Sequence, residues 1–278
     1  MKSGAKLAAS ALILLLGASM AAAQSARQKN IDLCNGSDQS VPDGRLQGCT
    51  ALIETDDQLT TILVVAHNNR GNVYTEKGDY DRAIADYDES IKLNPKYVRA
   101  LNNRGVAHQK KGEYDEALKD FEQALSLDAE YADAFANRAE TYRKMGKLDL
   151  AMRDYDEAIR RNIDHEDVWS GRCWTRAVLG ELAAAQEDCG KALAKKPDFP
   201  AALDARGLMH LKQGQVEPAI ADYSAALRSE PKLASSLYGR GLAELKKGDA
   251  AAGQADMAAA KAVDAWIADD FARYGVKQ

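Results

Sequence analysis

Residues 69–95 read NRGNVYTEKGDYDRAIADYDESIKLNP, and the residue pattern of this stretch repeats every 34 residues over most of the chain. The glycine of its Lys-Gly turn recurs as Gly78, Gly112, Gly146, Gly180, Gly214 and Gly248. The arginine of its Asn-Arg-Gly start recurs as Arg70, Arg104, Arg138, Arg172, Arg206 and Arg240. An aspartate recurs in the same register as Asp86, Asp120, Asp154, Asp188, Asp222 and Asp256. Three residue types in one register identify a tandem repeat, in which each copy is one supersecondary unit.

Each copy carries two stretches with helical spacing. In the first copy Ile84, Tyr87 and Ile91 follow one another at three- and four-residue intervals, which is typical of a helix with one buried face. Gly78 separates this stretch from the one before it, and glycine favours the left-handed conformation that ends helices. The sequence therefore predicts a helix-turn-helix unit in each copy and an all-α fold.

The Asn-Arg-Gly start, the Lys-Gly-Asp-Tyr turn and the Ala-Ile-x-Asp-Tyr segment resemble the tetratricopeptide repeat (TPR), a helix-turn-helix unit of 34 residues. The resemblance covers six copies, numbered repeats 1 to 6, over residues 64–97, 98–131, 132–165, 166–199, 200–233 and 234–267. It implies a right-handed α-solenoid in which each repeat covers the apolar side of its neighbour. A small residue at position 8 and a large one at position 24, such as Gly71 and Tyr87, fit closely paired helices.

The N-terminal segment lies outside the repeats. Lys2 and Lys6 precede an apolar run that ends in three alanines, so residues 1–23 are expected to be a cleaved secretory signal peptide rather than a membrane anchor. Residues 24–63 contain two short helix-like stretches. We expect them to form a degenerate half-repeat that caps the first helix.

The last part of the sequence, residues 263–278, is expected to form a capping helix, because an array of repeats otherwise exposes an apolar face at its end. The apolar stripe of this helix comprises Val263, Ile267, Phe271 and Tyr274. Its opposite side carries Asp269, Asp270 and Arg273.

The charge balance is acidic, with 42 acidic and 37 basic residues even before signal removal takes away two lysines. This balance argues against nucleic acid as the partner. No later stretch is long and apolar enough for a membrane span. The sequence contains no glycine-rich phosphate loop, Gly-x-Ser-x-Gly elbow or His-Glu-x-x-His pair, so no cofactor, metal site or enzymatic activity is expected.

The arginine at repeat position 7 and the aspartate at position 23 are expected to face each other across the two helices of a repeat. Six structural ion pairs follow: Arg70–Asp86, Arg104–Asp120, Arg138–Asp154, Arg172–Asp188, Arg206–Asp222 and Arg240–Asp256. The alternative is a row of free arginines that binds anions. Internal pairing is favoured, since each arginine brings its own carboxylate, which a planar guanidinium binds at two points.

The four cysteines fall into two close pairs in a chain expected to be exported, and disulfides are the usual state of cysteine outside the cytoplasm. Cys173 and Cys189 occupy positions 8 and 24 of repeat 4, where a disulfide replaces the missing aromatic side chain. Cys34 and Cys49 are expected to join the two parts of the N-terminal cap. A redox role is the alternative, but the sequence has no Cys-x-x-Cys pair.

The TPR resemblance implies a concave groove lined by the first helix of each repeat. In repeats 4 to 6 the lining positions become apolar, with lysines beside them, and an exposed apolar strip rimmed by charge marks a binding surface. The predicted groove residues are Trp174, Val178, Leu208, Leu211, Lys212, Tyr238, Leu242, Leu245 and Lys246. The alternative is that some of these leucines pack against a neighbouring helix or the cap.

These observations predict a non-catalytic scaffold or adaptor, exported to the periplasm, that binds a peptide or an amphipathic helix of another protein. The alternative function is that of an envelope assembly factor that recruits a protease, a cell-wall hydrolase or an outer-membrane assembly component. An enzyme is the third reading, but repeats and caps account for nearly all of the chain after the signal.

Overall fold

The structure, a computed structural model, describes residues 24–36, 41–55 and 59–276. Every regular element in these ranges is an α-helix, so the prediction of an all-α fold is confirmed. The expected signal peptide, residues 1–23, lies outside the described residues. Within the described part of the chain, no helix is both long enough and apolar enough to cross a bilayer.

The described residues divide into two compact units, one up to residue 129 and one from residue 130, which are described separately. The first contains α1 (residues 24–35), α2 (Pro42–Ile53), α3 (Thr60–Glu76), α4 (Tyr80–Leu93), α5 (Val98–Lys111) and α6 (Tyr114–Leu127). The second contains α7 (Ala132–Lys144), α8 (Leu148–Arg160), α9 (Glu166–Leu179), α10 (Leu182–Lys195), α11 (Pro200–Lys212), α12 (Val216–Ser229), α13 (Ala234–Lys247), α14 (Ala250–Val263) and α15 (Ile267–Arg273). Within each unit, consecutive helices pack as pairs and each pair packs on the next.

The turn glycines end the first helix of each pair. Gly112 has a φ of 83°, and its N–H donates to the carbonyl of Gln109 at 3.0 Å while the N–H of Glu113 donates to His108 at 2.9 Å. This is the left-handed end that glycine adopts without the penalty a side chain would bring. The next helix then begins at Tyr114, directly after a two-residue turn.

A large side chain of the second helix packs against glycine in the first helix. A Cβ on Gly71 would lie 2.6 Å from the Tyr87 ring, and one on Gly207 would lie 2.8 Å from the Tyr223 ring. Tyr223 also packs on Gly239 of the following repeat, where an added Cβ would lie 2.3 Å away. The aromatic ring therefore sets the distance both within a repeat and to its neighbour.

The N-terminal cap consists of two helices, α1 and α2, joined by a disulfide between Cys34 and Cys49. Both sulfurs are buried with Leu52 of α2 and Ala66 of α3. Helix α3 begins at Thr60, ahead of the predicted start of repeat 1 at residue 64. The first helix of repeat 1 is thus longer than the other first helices and extends towards the cap.

The C-terminal cap is shorter than predicted. Helix α14 ends at Val263, and α15 begins at Ile267 after a break in which Asp264 accepts a hydrogen bond from the N–H of Trp266 at 2.9 Å. Val263 is half exposed and does not belong to the stripe of α15, so this part of the prediction is wrong. After the break, Ile267 and Phe271 of α15 are buried.

Candidate protein-interaction groove of repeats 4 to 6

The arginines and aspartates singled out in the sequence lie opposite each other in each repeat. Each arginine donates from Nε to one carboxylate oxygen and from Nη2 to the other, at 2.6–2.9 Å. The pairs are Arg70–Asp86, Arg104–Asp120, Arg138–Asp154, Arg172–Asp188, Arg206–Asp222 and Arg240–Asp256. These guanidinium groups are therefore already engaged with carboxylates of their own repeat. Burial opposes ionisation of Asp86, but hydrogen bonds from His67 and Arg70 hold its pKa below the usual value.

Arg104 and Arg172 also bind an aspartate of the preceding repeat, which the sequence interpretation missed. Arg104 donates from Nη1 to Asp88 at 2.6 Å, and Arg172 donates from Nη1 to Asp156 at 2.7 Å. Both aspartates follow the aromatic position of the second helix by one residue. A carboxylate at that position is the sequence signal that could have revealed the link between repeats.

The groove of repeats 4 to 6 is defined here as the surface formed by their first helices, α9, α11 and α13. Four predicted groove residues are buried rather than exposed: Leu208, Leu211, Tyr238 and Leu242, each with 1–5% of its surface accessible. The prediction of an open apolar strip is therefore wrong. The physical reason is that these side chains belong to a buried cluster that includes residues of the neighbouring helices and of the C-terminal segment, residues 267–276.

The C-terminal segment crosses the groove from α13 towards α9. The Phe271 ring lies 4.9 Å from that of Tyr238 on α13, and the Tyr274 ring lies edge-on to Trp174 on α9 at 4.9 Å. Ile267, Phe271 and Val276 belong to the same buried cluster as Leu208 and Leu242. The groove thus holds a short helix through an aliphatic residue and two aromatic rings.

The side chain of Lys212, a predicted groove residue, binds the backbone of this segment. Its Nζ donates to the carbonyl of Tyr274 at 2.9 Å and to that of Val178 near the end of α9 at 2.8 Å. A cation placed at helix C-termini satisfies carbonyls that lack an intrahelical partner. Desolvation lowers the pKa of Lys212 from its usual value.

Trp174 has ring partners on two sides. The Arg143 guanidinium of α7 lies 4.7 Å from its ring centroid, and Tyr274 meets it edge-on. Arg143 in turn forms a two-point ion pair with Glu140, with both N–O distances at 2.7 Å. Arg143 and Glu140 both lie on α7, the first helix of repeat 3.

The remaining predicted groove residues have different surroundings. Leu245 of α13 packs against Gly253 of α14. A Cβ added to Gly253 would lie 2.7 Å from the Leu245 side chain, so Leu245 lies between these two helices. Val178 is partly buried against the cluster, and Lys246 is exposed. The structure therefore brings together only part of the predicted set, and adds the C-terminal segment to it.

One of the three groove helices also carries a buried carboxylate. Asp204 of α11 accepts a hydrogen bond from the Ser236 hydroxyl of α13 at 2.5 Å. Desolvation raises the pKa of Asp204 to about 6. Among the described residues, no group of three or more histidine, cysteine, aspartate or glutamate side chains is arranged to hold a metal ion.

The disulfide of repeat 4 joins the two helices of the repeat at the positions where repeats 1, 2 and 5 have a glycine and an aromatic ring. Cys173 on α9 and Cys189 on α10 are bonded and fully buried. The bond closes a loop with a sequence separation of 16 residues. It ties together the helix that carries Trp174 and the helix that carries Asp188.

Replacing both Cys173 and Cys189 with alanine is expected to lower the free energy of unfolding by about 3 kcal/mol, because the unfolded chain regains the entropy of an open loop of this size. Urea unfolding followed by tryptophan fluorescence measures this, since Trp169 and Trp174 lie in repeat 4. An unchanged midpoint in non-reducing buffer would contradict a stabilising role for the bond.

The fold and the site define a helical-repeat protein in which paired helices stack in series within each compact unit. Family models of the tetratricopeptide repeat match residues 71–112, 98–131, 132–165, 174–234 and 205–270. These ranges cover most of the chain, and the chain belongs to the tetratricopeptide-repeat family. No curated protein matches it in sequence.

Solved structures with the same fold include a chain of the APC/C hetero-tetramer Cut9–Hcn1, with a TM-score of 0.66 and 17% identity. That match covers 83% of this chain but only 45% of the other, so this chain spans less than half its length. A TPR protein from Parabacteroides merdae matches with a TM-score of 0.63 and 17% identity, covering 91% of this chain and 100% of that one. The type IV pilus biogenesis factor PilW matches with a TM-score of 0.62 and 21% identity, over 74% and 94%. At these identities the likeness concerns the fold.

Proposed function

We propose that this chain is a non-catalytic scaffold that binds a helical segment of another protein in the groove of repeats 4 to 6. The TPR fold supports a role in protein–protein interaction generally. The observation that carries the more specific proposal is that the groove accommodates a short helix, the chain's own α15, through apolar, aromatic and backbone contacts. A surface that accepts a helix in this way suits helix-in-groove recognition.

The scaffold is proposed to act outside the cytoplasm, in the cell envelope. The signal-like pattern of residues 1–23 and the two disulfides support this location, because disulfides persist in oxidising compartments. A non-catalytic role is supported by the engagement of the most regular polar residues, the six Arg–Asp pairs, with each other.

The proposal is tested by placing a photo-crosslinking amino acid at Val178 or Lys246 in the groove, with exposed Glu187 on α10 as the control position. Envelope extract is expected to give discrete adducts at the two groove positions and none at Glu187. A synthetic peptide of residues 264–278 is expected to suppress those adducts, because it carries the side chains that fill the groove.

Adducts of equal strength at all three positions would contradict the groove assignment. Groove adducts that persist at saturating peptide would contradict it as well, since they would not come from the surface that α15 covers.

A further inference from the structure

The C-terminal segment is poorly suited to being helical on its own. Helix α15 has 7 residues, and isolated helices of this length are unstable in water without tertiary packing. Its apolar side chains lie at i, i+4 and i+7 as Ile267, Phe271 and Tyr274, whereas Ala272 and Arg273 are exposed. The segment is therefore held as a helix by the groove.

The segment meets the groove in a defined order. Ile267 and Phe271 enter the apolar cluster at α13, Tyr274 lies against Trp174 on α9, and the Tyr274 carbonyl accepts from Lys212 on α11. The same surface therefore contacts an aliphatic residue, two aromatic rings and a helix C-terminus. These are the features by which a helix from another chain would be recognised at the same place.

The attachment of the segment to the repeats is short and partly exposed. Only residues 264–266 join α14 to α15, and 71% of Trp266 is exposed. A linker of this kind keeps the segment at an effective concentration in about the millimolar range, so it competes with any free ligand. The pairing of α13 with α14 has close contacts of its own, between Gly241 and Met257 and between Gly253 and Leu245, that do not involve the segment.

We infer that α15 and residues 274–276 are a displaceable occupant of the groove, and that the partner is a helix bearing an aliphatic residue, a phenylalanine and a tyrosine at i, i+4 and i+7. The inference rests on the proposed function and specifies its ligand. The partner's helix ends at Lys212, which binds its last carbonyls, and its tyrosine lies against Trp174. Binding then requires release of the chain's own helix.

The test measures binding of a fluorescent peptide of residues 264–278 to the full chain by anisotropy. Three variants are compared with the parent: Phe271→Asp, Tyr274→Ala and, as a matched control on the exposed side of α15, Ala272→Asp. The first two weaken only the occupant and leave every groove residue unchanged. Circular dichroism and size-exclusion chromatography verify that each variant keeps its helices and size.

Phe271→Asp is expected to bind the peptide about tenfold or more tightly than the parent, because affinity rises with the fraction of open groove. Tyr274→Ala is expected to show a smaller gain, and Ala272→Asp none. A peptide that itself carries Phe271→Asp is expected not to bind. If Phe271→Asp does not fold, the gain of Tyr274→Ala over Ala272→Asp decides the question.

Equal peptide affinity for the parent and the folded occupant variants would overturn the inference. If that result came with groove adducts at Val178 and Lys246, the scaffold function would stand and only the identity of the competing ligand would fail. If neither groove adducts nor peptide binding appeared, the proposed function would fail together with the inference.

Discussion

Replacing Tyr223 with alanine is expected to lower the free energy of unfolding by about 3–5 kcal/mol, the range for deleting a buried aromatic side chain. The ring is fully buried and packs against Gly207 in its own repeat and Gly239 in the next. Its removal leaves a cavity that neither glycine can fill. Urea unfolding followed by circular dichroism and tryptophan fluorescence measures the loss.

The control for this prediction is Tyr223→Phe. The Tyr223 hydroxyl is buried and has no hydrogen-bond partner among the described residues, and burial raises its pKa so that it remains neutral. Removing an unsatisfied buried polar group is expected to leave stability unchanged or to increase it by about 1 kcal/mol. The equivalent Tyr87→Phe is expected to destabilise, because the Tyr87 hydroxyl donates to Asn72 at 2.8 Å. A loss for Tyr223→Phe as large as that for Tyr223→Ala would show that the ring volume is not what matters.

Replacing Asp188 with alanine is the second change expected to be severe, with a loss of about 3–5 kcal/mol because buried cations lose their partner. Asp188 is 1% exposed and accepts from Arg172 Nε at 2.8 Å and from Arg176 Nη1 at 2.7 Å. Its removal leaves two guanidinium groups without this carboxylate in the core of repeat 4.

Asp256→Ala is the matched comparison, since Asp256 holds the same repeat position but pairs with Arg240 where both side chains are partly exposed. We expect a clearly smaller loss there, because water can solvate the released arginine. Chemical unfolding of both variants under the same conditions decides the matter. Equal losses would mean that burial does not control the strength of these pairs.

The repeat register predicted the local arrangement well, because each repeat contains most of the information about its own packing. Gly71 and Tyr87 are separated by a fixed number of residues, and the turn at Gly78 returns the second helix against the first. The two-point contact of Arg70 with Asp86 follows from the same geometry. These features depend on contacts inside one helical hairpin.

The occupancy of the groove could not be predicted in the same way, because it depends on a segment outside the repeat pattern. The sequence shows the stripe of Ile267, Phe271 and Tyr274. The 34-residue repeat pattern does not indicate which surface this stripe packs against. Leu208 and Leu242 were therefore read as exposed. In retrospect, the groove becomes apolar only in the repeats that the C-terminal segment can reach.

A crystal structure of the full chain carrying Phe271→Asp, with the peptide of residues 264–278 bound, tests the account most directly. It should show the peptide as a short helix across α9, α11 and α13, its phenylalanine against Tyr238, its tyrosine edge-on to Trp174 and a carbonyl on Lys212. A peptide bound to the outer second helices, or an empty groove beside a peptide bound elsewhere, would contradict the account.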